Sequence, residues 1–463
     1  MKLTLRNIAG IGDADLSFKG ITLIAGKNNT GKSSVGKAVY SVMYGISTTV
    51  EEFRHNIFLS VFNILSRYLK YTELEFRYFK RSHLMEFVDK NFISNDHLEK
   101  IQKDSKAIDL LSMSTQEIAN RYLMYLKDML NKAKLQKTDL LSSDNADLDL
   151  NFPVDELIRE LDRLENITFE SFIGTKVRQS VMAEFNSQFI NFNGKEDSII
   201  KLTLDNSDEA LFRNNKEDSS LSFNYQGINL GYYNTYPSPI YIDTPLVLDY
   251  LSSTDLFMSN FLGASFESND THVQHVVNLL QEYDSQSNPV ENLLNKDVFK
   301  EILEKISTVY RGDIKRNKDR YYVESENYGE NQLNVSNLSS GLKLFAILKQ
   351  IITTGKLKTN GVLIFDEPEI HEHPEWQIVL AEIIVLLFKY FNLQVIITSH
   401  SPYFIQAIEV FSKRYGVESN TLFYLSQKNK NGFFCFEDKT NEMESIYKLL
   451  AKPFQLLEDV VVS

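Results

Sequence analysis

The nine residues GKNNTGKSS, Gly26 to Ser34, most narrow the folds open to this chain, because they stand between the apolar run ITLIA and the helix-forming VGKAVYSVMYGI. They fit G-x-x-x-x-G-K-[ST] at Gly26, Gly31, Lys32 and Ser33. A strand ending at Ala25 would deliver the chain into a tight turn. Its glycines let the backbone close on a phosphate, and successive N–H groups form an anion nest. A helix opening near Lys32 adds the positive end of its dipole. Lys32 is then placed to reach the β- and γ-phosphates of a nucleoside triphosphate, and the Ser33 hydroxyl to ligate Mg²⁺. Asn28, Asn29, Thr30 and Ser34 complete the expected set of nucleotide-contacting residues. A glycine turn that merely resembles this pattern would not carry the correct strand and helix on its flanks.

Further motifs supply what hydrolysis needs. In GVLIFDEPEIHEHP, Val362 to Phe365 read as a strand buried on both faces, and Asp366 and Glu367 emerge at its carboxyl end, where α/β folds present ligands. Asp366 is expected to hold Mg²⁺, directly or through water, and Glu367 to polarise the water that attacks the γ-phosphate. Taken alone, a DE pair after a strand is equally a solvated strand end; the cradle upstream decides between the two. VIITSHSPYF reads as another buried strand followed by His400, suited to contacting the γ-phosphate or orienting the attacking water, although a lone histidine there is also explained structurally. In NLSSGLK, before the amphipathic LFAILKQIITTG, Ser339 and Gly341 make a second anion-binding helix end. The plainer reading of that stretch is simple capping by Ser339 or Ser340. His371 and His373 in HEHPEW are a candidate metal pair with no third ligand evident, so structural use is expected.

Punctuation residues organise the remainder. No glycine occurs between Gly45 and Gly174, and Pro153 is the sole proline of that interval. Stretches such as FLSVFNILSRYLKYTELEFRYFKR and STQEIANRYLMYLKDMLNKAKLQ therefore read as amphipathic helices, with a polar loop at residues 137–149 and helix again in VDELIRELDRLEN. After about Ile190 the pattern alternates in DSIIKLTLDN, SSLSFNYQGINLGYYN and PIYIDTP, as strands do. The helices THVQHVVNLLQEY and PVENLLNKDVFKEILEKISTVY and the hairpin DIKRNKDRYYVES follow. From Leu338 the order helix, strand, helix, strand, helix is that of a doubly wound sheet. The tail reads as a hairpin, NTLFYLSQKNKNGFFCFEDKT, and a helix, EMESIYKLLAKPFQLLED. A single cysteine, Cys435, excludes an internal disulfide and any cysteine-based zinc cluster. The MKLTLRNIAG terminus has no signal-peptide core, and the apolar run IVLAEIIVLLF is too short to span a bilayer, so a soluble cytoplasmic protein is expected. A net charge of −13 excludes indiscriminate polycation binding to nucleic acid and leaves only local patches for such contact.

The four motifs, in this order, resemble the ABC-type ATPase head in the branch that contains the structural-maintenance-of-chromosomes proteins, RecF and the OLD-type ATPases. GKNNTGKSS looks like their Walker A, LIFDEPEIHEHP like their Walker B, LSSGLK like the signature and TSHSP like the histidine switch. The resemblance implies an α/β fold: an ABC-type P-loop NTPase head with a mixed or parallel sheet, interrupted by a large, mainly helical insertion. The corresponding division is residues 1–45 as the first part of the head, 46–190 as the insertion and 191–463 as the second part. The signature departs from the transporter pattern, with Ser340 and Leu342 where Gly and Gln are usual. No glutamine of a Q-loop is assignable, although YIDTPLVLD occupies that region.

The resemblance also implies ATP and Mg²⁺ as cofactors and a homodimer or higher homo-oligomer of head-to-tail heads. Each ATP would lie between Lys32 of one chain and Ser339 of another. Members of the branch in anti-phage modules work with a separate effector, a nuclease or toxin. OLD-type nucleases carry a Toprim domain after the histidine switch, but only 63 residues follow His400 and none form a D-x-D, so any nuclease is expected on another polypeptide. DNA is a further candidate partner, through Lys315, Arg316, Lys318 and Arg320 beside Tyr321 and Tyr322, although Asp313 and Asp319 make a solvated hairpin the plainer reading. A DNA repair or recombination ATPase of the RecF type is the alternative function. A transporter motor is disfavoured by the long interval from Ser33 to Ser339.

Overall fold

A computed structural model describes residues 1–68, 117, 119–122, 124–125, 153–191, 196–227, 236–251, 271–281, 296–317, 320–325 and 333–462. In chain order the strands are β1 (Lys2–Ile8), β2 (Ile11–Ser17), β3 (Ile21–Gly26), β4 (Ser198–Thr203), β5 (Glu209–Asn214), β6 (Leu221–Gln226) and β7 (Ile240–Ile242), then β8 (Asp313–Asn317), β9 (Arg320–Glu324), β10 (Leu333–Asn334), β11 (Val362–Asp366), β12 (Gln394–Ser399), β13 (Thr421–Lys428) and β14 (Phe434–Asp438). The helices are α1 (Lys32–Ile46), α2 (Val50–Tyr68), α3 (Val154–Glu165), α4 (Phe169–Glu184), α5 (Val247–Tyr250) and α6 (His272–Gln281), then α7 (Lys296–Ser307), α8 (Ser340–Thr353), α9 (Pro374–Phe391), α10 (Pro402–Arg414) and α11 (Met443–Val462).

Eleven strands form one sheet in the order β6-β5-β4-β1-β2-β14-β13-β3-β12-β11-β7. On one side β6, β5, β4, β1 and β2 are antiparallel; on the other, β13, β3, β12, β11 and β7 are parallel. The class is α/β with a mixed sheet, as expected. The central parallel strands β3, β12 and β11 are largely apolar and buried because both faces are covered. Leu363 and Phe365 of β11 join the core beneath α8, α9 and α10, whereas Ile364 faces α1, where a Cβ on Gly36 would lie 3.1 Å from its Cγ2. The apolar run in α9 is a buried helix within this core. β8, β9 and β10 form a separate three-stranded sheet, with the expected DIKRN–RYYVE hairpin as β8 and β9.

The chain divides into two units. One comprises Met1–Ser47, Lys176–Ile228 and Tyr236–Ser463, and the other Thr48–Thr175 with Asn229–Thr235. The first holds the whole large sheet. Within the second, α2 and the start of α4 meet through Phe53 and Phe169, ring centroids 5.4 Å apart, and Tyr122 donates a 2.6 Å hydrogen bond to Leu65 O. Arg67 pairs with Glu160 of α3 at 2.6 Å. The helical readings over residues 69–81 and much of 114–136, the polar loop at 137–149, the strand ending at 228–234, residues 282–295, and Lys318 and Asp319 lie outside the described residues.

Phe365 is fully buried directly before Asp366. Phe365→Ala is expected to cost about 3–5 kcal/mol, seen as a lowered urea midpoint in the fluorescence of Trp376, the single tryptophan.

Candidate functional site

The turn after β3 is built around positions that tolerate little but glycine. Gly31 has φ +80° and Asn29 φ +58°, a region open to glycine and tolerated by asparagine. A Cβ on Gly26 would lie 2.6 Å from Ser426 O of β13, so the neighbouring strand presses on the loop from behind. Thr30 Oγ1 donates to Lys27 O at 2.8 Å, and Ser426 Oγ donates to Thr30 O, fixing the loop's shape. α1 then begins at Lys32 with no side-chain cap, so its first-turn N–H groups are left to a ligand or solvent.

Asn28, Asn29, Thr30, Gly31, Lys32, Ser33 and Ser34 line a cavity of about 560 Å³ together with Asp366 and Glu367. Gly26 is the last residue of β3 and gives its carbonyl to Lys32 Nζ at 3.2 Å; Lys27 O takes the same ammonium at 2.9 Å. Lys32 Nζ also lies 3.0 Å from Glu367 Oε1. Ser33 Oγ donates to Asp366 Oδ1 at 3.1 Å, Thr398 Oγ1 donates to the same oxygen, and Tyr241 OH donates to Asp366 Oδ2 at 3.0 Å. A hydroxyl and a carboxylate converging in this way are the oxygen donors that a hard divalent cation takes. Glu367 has φ +51°, a conformation costing a side-chain-bearing residue about 1–3 kcal/mol. Its N–H meets Thr398 O at 3.1 Å and Thr398 Oγ1 at 3.0 Å, which holds it there. His400 does not line the cavity, but its Nδ1 stands 3.5 Å from Glu367 Oε2 and 3.8 Å from Glu369 Oε1.

The sequence matches the AAA ATPase domain family over residues 1–405. The chain belongs to that family. Among solved structures, this AAA ATPase is similar to the SmcHead bound to the C-winged helix domain of ScpA, with 13% identity, 96% of this chain and 98% of that one covered, and a TM-score of 0.38. It is also similar to the SMC head domain from Thermotoga maritima, with 9% identity, coverages of 94% and 97%, and a TM-score of 0.37. The Smc head domain with an extended coiled coil, bound to the C-terminal domain of ScpA derived from Pyrococcus furiosus, gives 12%, 99%, 98% and 0.36 in the same order. Family membership rests on the matched sequence and not on these low TM-scores.

Several residues in and beside this cavity escape motif reading. Asp243 follows β7 and lines the cavity beside Asp366, in the stretch YIDTPLVLD where no glutamine was assignable. Burial opposes its ionisation, yet the neighbouring His272 outweighs that and holds it below the ordinary carboxylate range. His272 Nδ1 lies 2.7 Å from Glu184 Oε2, its backbone N–H donates to Glu184 Oε1 at 2.7 Å, and its Nε2 is 3.0 Å from Asp243 Oδ2. Burial works against charge on the ring, but Asp243 and Glu184 carry it up to about 9. His275, one helical turn on, is driven down to about 4 by burial, then by Lys176 and the charged His272. Tyr241 stacks on His272 at 4.2 Å between ring centroids, linking this group to Asp366. The signal in the sequence was an acidic residue at the end of a buried strand; its histidine partner lies on a helix with no sequence link to it.

Ser339 and Gly341 do not line the cavity. Ser339 occupies the N-cap position of α8 yet makes no capping hydrogen bond, and it is exposed. Simple capping by its side chain is therefore not what it does. A Cβ on Gly341 would meet Glu372 Oε2 at 3.0 Å and His371 O at 3.1 Å, so the start of α8 rests on the turn that follows β11. His373 caps α9, its Nδ1 accepting from Glu375 N at 3.4 Å. Both carboxyl oxygens of Glu372 are buried and lack a hydrogen-bond partner among the described residues. Burial raises this group from 4.5 to about 8. Between those two values the folded chain keeps a proton that the unfolded chain has lost, so stability falls as pH rises. Glu372→Gln removes the titration. Its melting temperature should exceed that of the unmodified protein by several degrees near pH 8, with the gap closing towards pH 5.

Proposed function

We propose that this AAA ATPase binds and hydrolyses ATP in the cavity between the β3–α1 loop and the end of β11. The observation that carries this is the convergence of Lys32, Ser33, Asp366 and Glu367 on one cavity from segments more than three hundred residues apart. Backbone N–H groups of residues 28–34 cradle the phosphates, and Lys32 is the cation for the β- and γ-phosphates. Ser33 Oγ and Asp366 would hold Mg²⁺, which supplies neutralising charge for the phosphate oxygens. Glu367 accepts the proton of the attacking water. Its carboxylate lies between Lys32 and His400, so His400 can orient it and sense the γ-phosphate.

The same reading has two copies sharing each nucleotide. The exposed, non-capping Ser339 and the N–H groups that open α8 suit a phosphate presented by a mate, and they take no part in their own chain's cavity. ATP thereby closes a head-to-tail homodimer and hydrolysis reopens it, with residues 46–190 as the arm that transmits closure. The partner switched by that cycle is a separate effector, a nuclease or toxin, in phage defence. In support, β13 and β14, from the stretch after His400, are strands of the ATPase sheet itself and not an added effector fold. The RecF-like reading, with DNA handled directly, gains from the β8–β9 hairpin, where the exposed Arg316 stands 5.6 Å from the Tyr321 ring centroid.

Lys32→Ala is expected to abolish ATP binding in a calorimetric titration. Glu367→Gln should retain binding, lose turnover by at least about a hundredfold, and accumulate a nucleotide-bound dimer in light scattering; adding Ser339→Arg should return that dimer to monomer. Undiminished turnover in Glu367→Gln would remove Glu367 as the base. Charge reversal at Lys315 and Arg316 should weaken duplex DNA binding and flatten its salt dependence. Equal affinity across a salt series would take the hairpin out of the mechanism.

A further inference from the structure

Phe434 is the aromatic residue of the cavity lining, and phosphate chemistry leaves it unused. It comes from β14, beyond the family-matched residues 1–405, and enters the cavity beside Ala9 and Gly10 of the β1–β2 turn. Its N–H donates to Gly10 O at 2.9 Å, tying the strand to that turn. Its ring is wedged so closely that a Cβ on Gly10 would lie 2.2 Å from Cε2, and one on Gly31 2.6 Å from Cδ2. Two glycines on two separate elements thus make room for one aromatic ring at the mouth of the phosphate loop. Lys428 Nζ, which is not part of the cavity lining, stands 5.4 Å from the ring centroid.

The cavity lining therefore divides by chemistry. Lys32, Ser33, Asp366, Glu367 and Asp243 supply its charged and polar groups, whereas Ala9, Gly10 and Phe434, with Ile370, bring no polar side chain, and Phe434 is the one aromatic ring among the lining residues. A nucleoside triphosphate has the complementary division, a polyanionic tail and a planar base. Phosphate in the loop directs the base to the surface that stacks, and base–aromatic stacking tolerates any base because each has a π-face.

We propose that Phe434 is the stacking platform for the nucleobase, so that the carboxy-terminal hairpin completes the nucleotide site. This rests on the nucleotide reading given above. It also assigns the tight fit of Gly10 a purpose, since a larger residue there would push the platform out of the cavity.

The test compares Mg-ATP with inorganic tripolyphosphate, which has the phosphates and no base, by calorimetric titration of the full chain. Phe434→Ala should weaken ATP about 5- to 150-fold, the range of aromatic–base stacks, and leave tripolyphosphate within about twofold. Phe434→Tyr, which keeps the ring, should restore ATP affinity. Unchanged tripolyphosphate affinity in Phe434→Ala also reports an intact phosphate loop, so misfolding cannot imitate the result. Equal weakening of both ligands, or none for ATP, would overturn the platform and leave the ring as a brace for Gly31. If the unmodified protein bound neither ligand, the nucleotide reading itself would fall, and this inference with it.

Discussion

Everything at the site depends on three parallel pairings among four buried strands. β12 sets Ser399 opposite Ala25 of β3 and Thr398 opposite Asp366 of β11, while Phe365 of β11 lies opposite Ile242 of β7. Those registers bring the phosphate loop, the acidic pair, His400 and Asp243 to the carboxyl end of the parallel strands. A slip of a single residue in any of the three would turn its alternate side chains to the wrong face. The apolar residues of β3, β11 and β12 are therefore as much part of the site as the polar ones that follow them. Their burial fixes a register that the loops alone could not specify.

A second constraint is charge held out of water. Carboxylates crowd the carboxyl ends of β7, β11 and β12, and burying one without a partner is costly. The chain resolves this differently at each. Glu367 takes Lys32 as counter-ion, and Asp243 takes the imidazolium of His272, which Glu184 supports from α4. Glu369 is buried and its carboxyl is raised by desolvation, offset by hydrogen bonds from Ser399 Oγ, His400 N and Ser401 N. Those bonds bind the turn after β12 to the loop after β11, so the carboxylate that positions His400 is anchored beside the one His400 contacts. Glu372 has no such partner among the described residues, and burial raises its carboxyl to about 8.

The motifs legible in the sequence were those whose chemistry is local. A glycine loop between a strand and a helix, and an acidic pair ending an apolar run, carry their own context, and the structure brings both sets to one cavity. Helix α9 and the tail hairpin were legible through periodicity and turn residues. β5 was not, because EALFRN is short and sits in an interval dominated by polar residues. Asp243, His272 and Phe434 were hidden for a different reason. Each is placed by a partner brought near by the fold, and nothing in the residues around it marks that partner. Ser339 was readable as a cap or an anion site, and its geometry, exposed and without a capping bond, removes the first.

The loop from Glu367 to Glu372 runs from the cavity to the start of α8. Ile370 lines the cavity, and His371 O and Glu372 press on Gly341 at the start of α8. The loop is braced internally, with Ile370 N bonded to Glu367 O at 3.2 Å and Glu372 N to Glu369 O at 3.0 Å. Gln377 of α9 adds bonds to Glu369 O at 3.3 Å and Glu372 O at 3.1 Å. A segment tied in this way passes a displacement at one end to the other more readily than a free loop would. Under the proposed mechanism, a change at Glu367 on meeting the γ-phosphate is carried to the helix end that presents Ser339. One chain's hydrolytic state then sets its grip on the nucleotide of its mate. That coupling needs no long-range pathway, because packed and hydrogen-bonded contacts run without interruption from one site to the other.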